Sequence, residues 1–171
     1  MMIVRGIQEI EHHIATIDAS TKRAIEGIAA LTNPKETLRQ MKFETVGRHP
    51  IEDRALNFVE QINQTFSYLV ALNAARWLLE AHPDAGGFSL APGAHAAQRL
   101  DIMSVEPDLV GAEAFAATSP RSNNKLDKDL KRLAADPARH RYAFFYSPGF
   151  EPGRHPRLEK VDGVQVRCVD I

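Results

Sequence analysis

The stretch that decides the fold is "RLDIMSVEPDLVGAEAFAATSPRSNNKLDKDLKRL", residues 99–133. It contains two strand-like runs, then a loop and a basic helical segment. Three acidic residues, Asp101, Asp108 and Glu113, lie on or between the two runs. If the runs pair through the turn "SVEPDL", Asp101 and Glu113 face each other at a cross-strand distance of about 5 Å. The stretch is therefore either a metal-dependent site or a hairpin with charged edges.

The segments around this stretch predict a mixed α/β (α+β) fold. Three short runs separated by Pro and Gly, residues 87–92, 96–105 and 110–118, predict an antiparallel meander. Residues 123–136 predict a helix with Leu126, Leu130 and Leu133 on one face. Residues 141–147 form a nearly continuous apolar run typical of a buried strand, and residues 161–171 predict the last strand.

Residues 1–49 predict an N-terminal helical extension, and residues 50–171 predict the α/β domain. A seam with alternate spacings of four and three residues predicts a helix that packs along a partner. Its positions are Ile3, Ile7, Ile10, Ile14, Ile17, Thr21, Ala24, Ile28 and Leu31. This partner is either the chain's own body or a second copy, and we expect a homodimer. Residues 34–49 predict a short helix and a connector, and Pro50 suits the first position of a long central helix.

The composition predicts a globular protein located in the cytoplasm. The net charge is −1, and no apolar run approaches the twenty residues that cross a membrane. The N-terminal residues alternate Ile with charged side chains, which is unlike a signal peptide. Residues 1–120 hold 10 Lys and Arg against 15 Asp and Glu, whereas residues 121–160 hold 10 against 5. The basic segment is either a phosphate-binding face or an ordinary solvated surface.

The order of these elements, together with Asp101 and Glu113, resembles the PD-(D/E)xK nuclease superfamily, which has the restriction-endonuclease-like fold. The resemblance covers residues 50 to about 147. It implies a core of a helix, a three-stranded meander, a second helix and a further strand. It also implies that Asp101 and Glu113 bind Mg²⁺, with Asp108 of Pro107-Asp108 as a second candidate for the metal-binding Asp. Nucleic acid is then the expected partner.

The sequence departs from the Glu-x-Lys motif of this family. Phe115 occupies the position of the lysine, and Lys125 at the start of the following helix is the nearest replacement. If the protein is active, Asp101, Glu113 and Lys125 are the expected catalytic residues. If it is not, the chain keeps the fold as a scaffold or interaction subunit. The basic residues expected to contact phosphates are Arg121, Lys128, Lys131 and Arg132.

Overall fold

The structure, a computed structural model, describes residues 2–93 and 98–171. These residues form a mixed α/β fold with four α-helices, a seven-stranded sheet and a separate two-stranded hairpin. The helices are α1 (Ile7–Ala29), α2 (Pro34–Phe43), α3 (Phe58–Ala81) and α4 (Lys125–Ala135). The strands are β1 (Met2–Val4), β2 (Gly47–Arg48), β3 (Ala55–Leu56), β4 (Phe88–Leu90), β5 (Ile102–Ser104), β6 (Val110–Ala116), β7 (His140–Tyr146), β8 (Gly153–Arg154) and β9 (Val164–Cys168).

The large sheet changes from antiparallel to parallel in its middle. Its strand order is β1-β4-β5-β6-β7-β9-β8. Strands β1, β4, β5 and β6 pair antiparallel, whereas β6 pairs with β7, and β7 with β9, in parallel. A parallel pair needs a crossover connection, and α4 provides it between β6 and β7. As a result, the carboxyl ends of β6 and β7 lie side by side at the same end of the sheet.

Two apolar clusters cover the two faces of this sheet. Helices α1 and α3 pack on one face against Ala112, Ala114 and Phe144. Helix α4 packs on the other face against Phe115 and Phe145. Successive residues of a strand point to opposite faces, so β6 and β7 contribute to both clusters. The sheet is thus the middle of three layers.

Helix α3 is the central helix that the sequence predicts, but it begins later than Pro50. Asn57 caps it by accepting a hydrogen bond from the backbone N–H of Glu60 at 2.8 Å. Residues 47–56 instead form the β2–β3 hairpin, and Pro50 lies in its connection. The predicted helix start at Pro50 is therefore wrong, because the side-chain cap that satisfies the first-turn N–H groups lies seven residues further on.

The N-terminal helix also begins later than the seam predicts. Met2–Val4 form β1, which pairs with β4, so Ile3 lies in a strand rather than in the helix. Gly6 is in an extended conformation and separates β1 from α1. Ile10 and Ile17 are buried against α3 of the same chain, whereas Ile7 is exposed. The seam thus packs within the chain in this structure, and the homodimer stays a prediction.

The three-stranded meander is present as β4, β5 and β6. The predicted second strand, residues 96–105, is too long, because β5 covers only Ile102–Ser104. Residues 96 and 97 of that prediction lie outside the described residues. The predictions for residues 123–136, 141–147 and 161–171 correspond to α4, β7 and β9. Among the described residues, no helix is long and apolar enough to cross a membrane.

We expect Ile17→Ala to lower the free energy of unfolding by about 2–5 kcal/mol, because the side chain is buried between α1 and the body of the protein. Ile25→Ala is the matched control on the same helix. Its side chain is 56% exposed, so we expect a change within about 0.5 kcal/mol. Urea denaturation measures both values.

The replacement of both Ile10 and Ile14 by Asp separates the two possible partners of the seam. Because Ile10 is fully buried within the chain, the double variant should melt at a lower temperature with no change of mass in light scattering. A dimeric wild type that becomes a stable, folded monomer on this change would contradict the packing within one chain.

Candidate functional site

Asp101 and Glu113 lie opposite each other on neighbouring strands. In the β5–β6 pair, Ile102 lies opposite Ala112, so the next position places Asp101 opposite Glu113. The backbone N–H of Ala114 donates to Oδ2 of Asp101 at 3.0 Å, which ties Asp101 to β6 just before the start of β5. The structure therefore brings the two carboxyl groups together, as their spacing in the sequence predicts.

Glu113 is a buried carboxyl group that interacts with a cation and with a second carboxyl group. Its side chain has no exposed surface. Nη1 of Arg132 donates to Oε1 at 2.8 Å, whereas Oε2 has no hydrogen-bond donor among the described residues. Burial, followed by the negative charge of Asp101 and a hydrogen bond with its carboxyl group, raises the pKa of Glu113 to about 8. Glu113 is therefore largely protonated at pH 7.

Helix α4 adds a third carboxyl group and two cations to this pair. Lys125, Asp129 and Arg132 follow one another at spacings of four and three residues, so they lie on one face of the helix. Asp129 is fully buried, and Nζ of Lys125 lies 2.6 Å from its Oδ1. Its other oxygen, Oδ2, has no hydrogen-bond donor in the described part of the chain. Burial also raises the pKa of Asp129.

The carboxylate cluster consists of Asp101, Glu113 and Asp129 with Lys125 and Arg132. Three carboxyl groups thus face two cations, and the raised pKa of Glu113 favours a proton on this group. A proton on Glu113 thus replaces the third positive charge that three ionised carboxylates require. Buried charges that are not paired are strongly unfavourable, so a proton on Glu113 lowers the cost of burying the cluster.

The position of the motif lysine is filled by an aromatic ring. Phe115 is 4% exposed and stacks on Phe145 with the ring centroids 6.1 Å apart. Nζ of Lys125 lies 5.8 Å from the centroid of the Phe115 ring. The ammonium group of Lys125, on α4, thus lies near Phe115, the residue at the position of the motif lysine. Its direct partner is Asp129 rather than Asp101 or Glu113.

Asp108 does not join the other two acids. It lies exposed in the turn between β5 and β6, where it pairs with Arg99 at 2.7 Å. Glu113 lies three residues into β6, about 10 Å from the start of that strand. This structure therefore does not bring Asp108 to the pair, and its role as a metal ligand stays a prediction. Its positive φ of 53° marks it instead as a turn residue.

The four basic residues predicted to bind phosphates lie in different surroundings. Arg121 and Lys131 are exposed, and Lys128 is exposed on the first half of α4. No ion pair among the described residues involves these three side chains. Arg132 differs, because its guanidinium is bound to Glu113. Arg132 is thus part of the carboxylate cluster and is not a free cation for a phosphate.

The acidic side chains of the carboxylate cluster are the oxygen ligands that it could offer to a metal ion. Within the residues that the structure describes, no group of three or more His, Cys, Asp and Glu side chains is arranged to hold a metal ion. Oε2 of Glu113 and Oδ2 of Asp129 nevertheless lack a donor, and carboxylate oxygens are the ligands that Mg²⁺ prefers. Both of these oxygens belong to fully buried side chains, and the binding of Mg²⁺ by Asp101 and Glu113 stays a prediction.

Asp129 and the role of Arg132 are absent from the predictions made from the sequence. The strand pattern identifies Asp101 and Glu113 because their strands pair directly. Residues on α4 reach the pair only through tertiary packing. The spacing Lys125, Asp129, Arg132 on one face, beside the face formed by Leu126, Leu130 and Leu133, is the one signal that could have identified them.

Comparisons with protein-family models, with curated proteins and with solved structures give no match for this chain.

We expect the free energy of unfolding to fall as the pH rises from about 5 to 8. Between the ordinary pKa of a glutamate and about 8, folded Glu113 holds a proton that the unfolded chain has released, so a higher pH favours unfolding. The slope from this one group is on the order of 1 kcal/mol per pH unit. Glu113→Gln should reduce this slope in urea denaturation at several pH values.

Glu159→Gln is the matched control for this pH series. The hydrogen bonds from Arg154 lower the pKa of Glu159, so this carboxyl group does not titrate between pH 5 and 8. The control should keep the wild-type slope. An equal slope in the wild type and in Glu113→Gln would show that Glu113 is ionised throughout this range.

Proposed function

We propose that the protein is a nuclease-like, nucleic-acid-binding protein with a restriction-endonuclease-like core, in which Asp101 and Glu113 bind Mg²⁺ for phosphodiester hydrolysis. The observation that carries this proposal is the meeting of two buried carboxyl groups on the adjacent strands β5 and β6. A buried pair of this kind is costly for stability, and a proton or a cation is needed to neutralise it. Such costs are characteristic of functional sites.

The arrangement of elements around the pair supports the same proposal. Helix α3, the meander β4–β5–β6, helix α4 and strand β7 follow one another along the chain, and β7 lies parallel to β6. This is the order that the PD-(D/E)xK resemblance implies. Asp101 lies at the start of the second strand of the meander and Glu113 on the third, which are the positions of the metal-binding residues in that motif.

The chain's own residues have defined tasks in this proposal. Bound Mg²⁺ supplies Lewis acidity and lowers the pKa of a water that it holds. Glu113 must first release its proton, and Arg132, whose side chain is 54% exposed, has room to leave Oε1 for the solvent. Lys125 at the edge of the cluster would orient the attacking water or stabilise the charge that develops on the phosphate.

The nucleic-acid partner is supported by the excess of basic residues that follows the carboxylate pair. Arg121, Lys128 and Lys131 are exposed and lie on or just before α4, the helix that carries Lys125 and Arg132. Unpaired cations on the helix beside a carboxylate site are suited to hold the phosphates of a substrate near it. Binding through them should weaken as the salt concentration rises.

A second candidate function is an inactive scaffold or interaction subunit that keeps the same fold. Phe115 favours it, because an apolar ring occupies the position of the motif lysine and packs in the core. The full burial of Glu113 and Asp129 favours it as well, since in this arrangement a phosphate does not reach either carboxylate. The two candidates differ in whether Mg²⁺ enters the cluster.

Titration with Mg²⁺ at pH 7 tests the proposed site. Because Glu113 is largely protonated at this pH, we expect the wild type to bind Mg²⁺ with the release of close to one proton, and to melt at a higher temperature when Mg²⁺ is present. Calorimetry in two buffers of different ionisation enthalpy measures the proton. Asp101→Asn and Glu113→Gln should each lose the binding and the thermal shift.

Asp108→Asn is the control, because Asp108 is exposed and remote from the pair, and it should bind Mg²⁺ as the wild type does. Binding without cleavage of any DNA or RNA substrate would favour the scaffold. If cleavage occurs, Lys125→Ala should abolish it, and Lys35→Ala, an exposed lysine on α2, should retain most of it. No Mg²⁺ binding at millimolar concentrations would reject the metal site.

A further inference from the structure

A cleft lies beside the carboxylate cluster, at the carboxyl ends of the parallel strands β6 and β7. Its volume is about 670 Å³, within the range of ligand-binding pockets. The end of β6 and Tyr146 at the end of β7 contribute to its lining, together with residues of α3 and α4. Ligands of open α/β sheets bind outside the carboxyl ends of parallel strands. Of the cluster residues, Lys125 alone also lines the cleft.

The wall of the cleft that α3 forms is apolar and exposed. Phe66 lines the cleft and is 40% exposed. Ile62 and Val59 lie one and two turns earlier on the same face of α3, and they are 40% and 48% exposed. The opposite faces of this helix are buried against α1 and the sheet. The apolar stripe formed by Val59, Ile62 and Phe66 thus extends the wall of the cleft along the surface.

The opposite wall of the cleft is positively charged. Lys125 and Lys128 line it from the first half of α4. Lys128 takes part in no ion pair among the described residues, so its ammonium group is available to an anion. Asn63 and Asn123 also line the cleft, and each amide offers both donors and an acceptor. The cleft therefore combines a flat apolar surface, amide groups and a cation.

We propose that this cleft binds an unpaired nucleotide of a single-stranded nucleic acid, with the base against Phe66 and Tyr146 and the phosphate at Lys128. The proposal rests on the proposed function in taking nucleic acid as the ligand, and it adds that the strand is single. A base has a flat apolar face, polar edges and an attached negative charge, which match the three kinds of group in the cleft. In a duplex the faces of the bases are covered by their neighbours, so a duplex would contact the lysines but not the apolar wall of the cleft.

The exposed stripe on α3 extends the proposal to a second nucleotide. Ile62 and Val59 continue the apolar wall beyond Phe66 for about 10 Å along the helix axis. This length accommodates the next base of an extended strand. An acidic peptide would also be attracted by Lys125 and Lys128, but it has no flat ring that requires the exposed face of Phe66. We therefore take the single strand as the ligand and the peptide as an outcome of the test.

Fluorescence anisotropy with a labelled 12-nucleotide single strand and a duplex of the same sequence tests this proposal, in EDTA and at low salt. We expect the wild type to bind the single strand more tightly. Phe66→Ala should weaken single-strand binding about fivefold or more through the loss of stacking, and should change duplex binding less than twofold. Phe43→Ala is the matched control, because Phe43 is a 70% exposed phenylalanine on α2 and does not line the cleft.

Lys128→Ala should weaken binding of the single strand severalfold and reduce its salt dependence, whereas Lys35→Ala, an exposed lysine on α2, should not. No binding of the single strand by the wild type would overturn the proposal. An equal loss for single strand and duplex in Phe66→Ala, or no loss, would also overturn it. Competition by polyglutamate with the same dependence on Phe66 would assign the cleft to an acidic peptide.

The EDTA separates this test from that of the proposed function. If the cleft proposal fails, the binding of Mg²⁺ by Asp101 and Glu113 is unaffected, because Phe66 lies on α3 and the pair lies on β5 and β6. If the metal site fails, single-strand binding through Phe66 and Lys128 remains measurable. The melting temperature of Phe66→Ala should stay close to that of the wild type, since the ring is 40% exposed.

Discussion

The pairing of β5 with β6 forces the carboxyl groups of Asp101 and Glu113 to lie next to each other inside the protein. The rest of the site follows from this constraint, because two buried negative charges repel each other and lose their hydration. Helix α4 supplies Arg132, which pairs with Glu113, and Lys125, which pairs with Asp129. The raised pKa of Glu113 favours a proton on the third carboxyl group. Lys125 also lines the neighbouring cleft, so this cation contacts both the buried acids and the cleft.

The parts of the fold that depend on local sequence pattern are predictable. Strand β6 follows from a short run set off by Pro and Gly, and helix α4 follows from the spacing of Leu126, Leu130 and Leu133. The pair of Asp101 and Glu113 follows from the same pattern, since an antiparallel turn of fixed length determines which residues face each other. These elements bury apolar side chains at regular intervals, and this regularity is visible in the sequence.

The parts that depend on tertiary contacts are not predictable in this way. Ile3 continues the spacing of the α1 seam, yet it lies in β1 because pairing with β4 satisfies its backbone groups. Pro50 suits a helix start, but the β2–β3 hairpin occupies its position and Asn57 supplies the cap. In the sequence, Asp129 and Arg132 look like ordinary charged residues of a solvated helix. Only the packing of α4 over β6 brings them to Glu113. Each of these residues has a local signal that distant packing overrides.

The most direct test of this account is the protonation of Glu113 itself. Glutamate labelled with ¹³C at the side-chain carboxyl carbon, with the Glu113 resonance assigned by its loss in Glu113→Gln, gives its titration curve by nuclear magnetic resonance. The account predicts a midpoint near pH 8 for Glu113, several pH units above that of an exposed glutamate. A midpoint in the ordinary range of a glutamate would contradict it, because Arg132 alone would then neutralise the carboxylate and no proton would be there for a metal ion to displace.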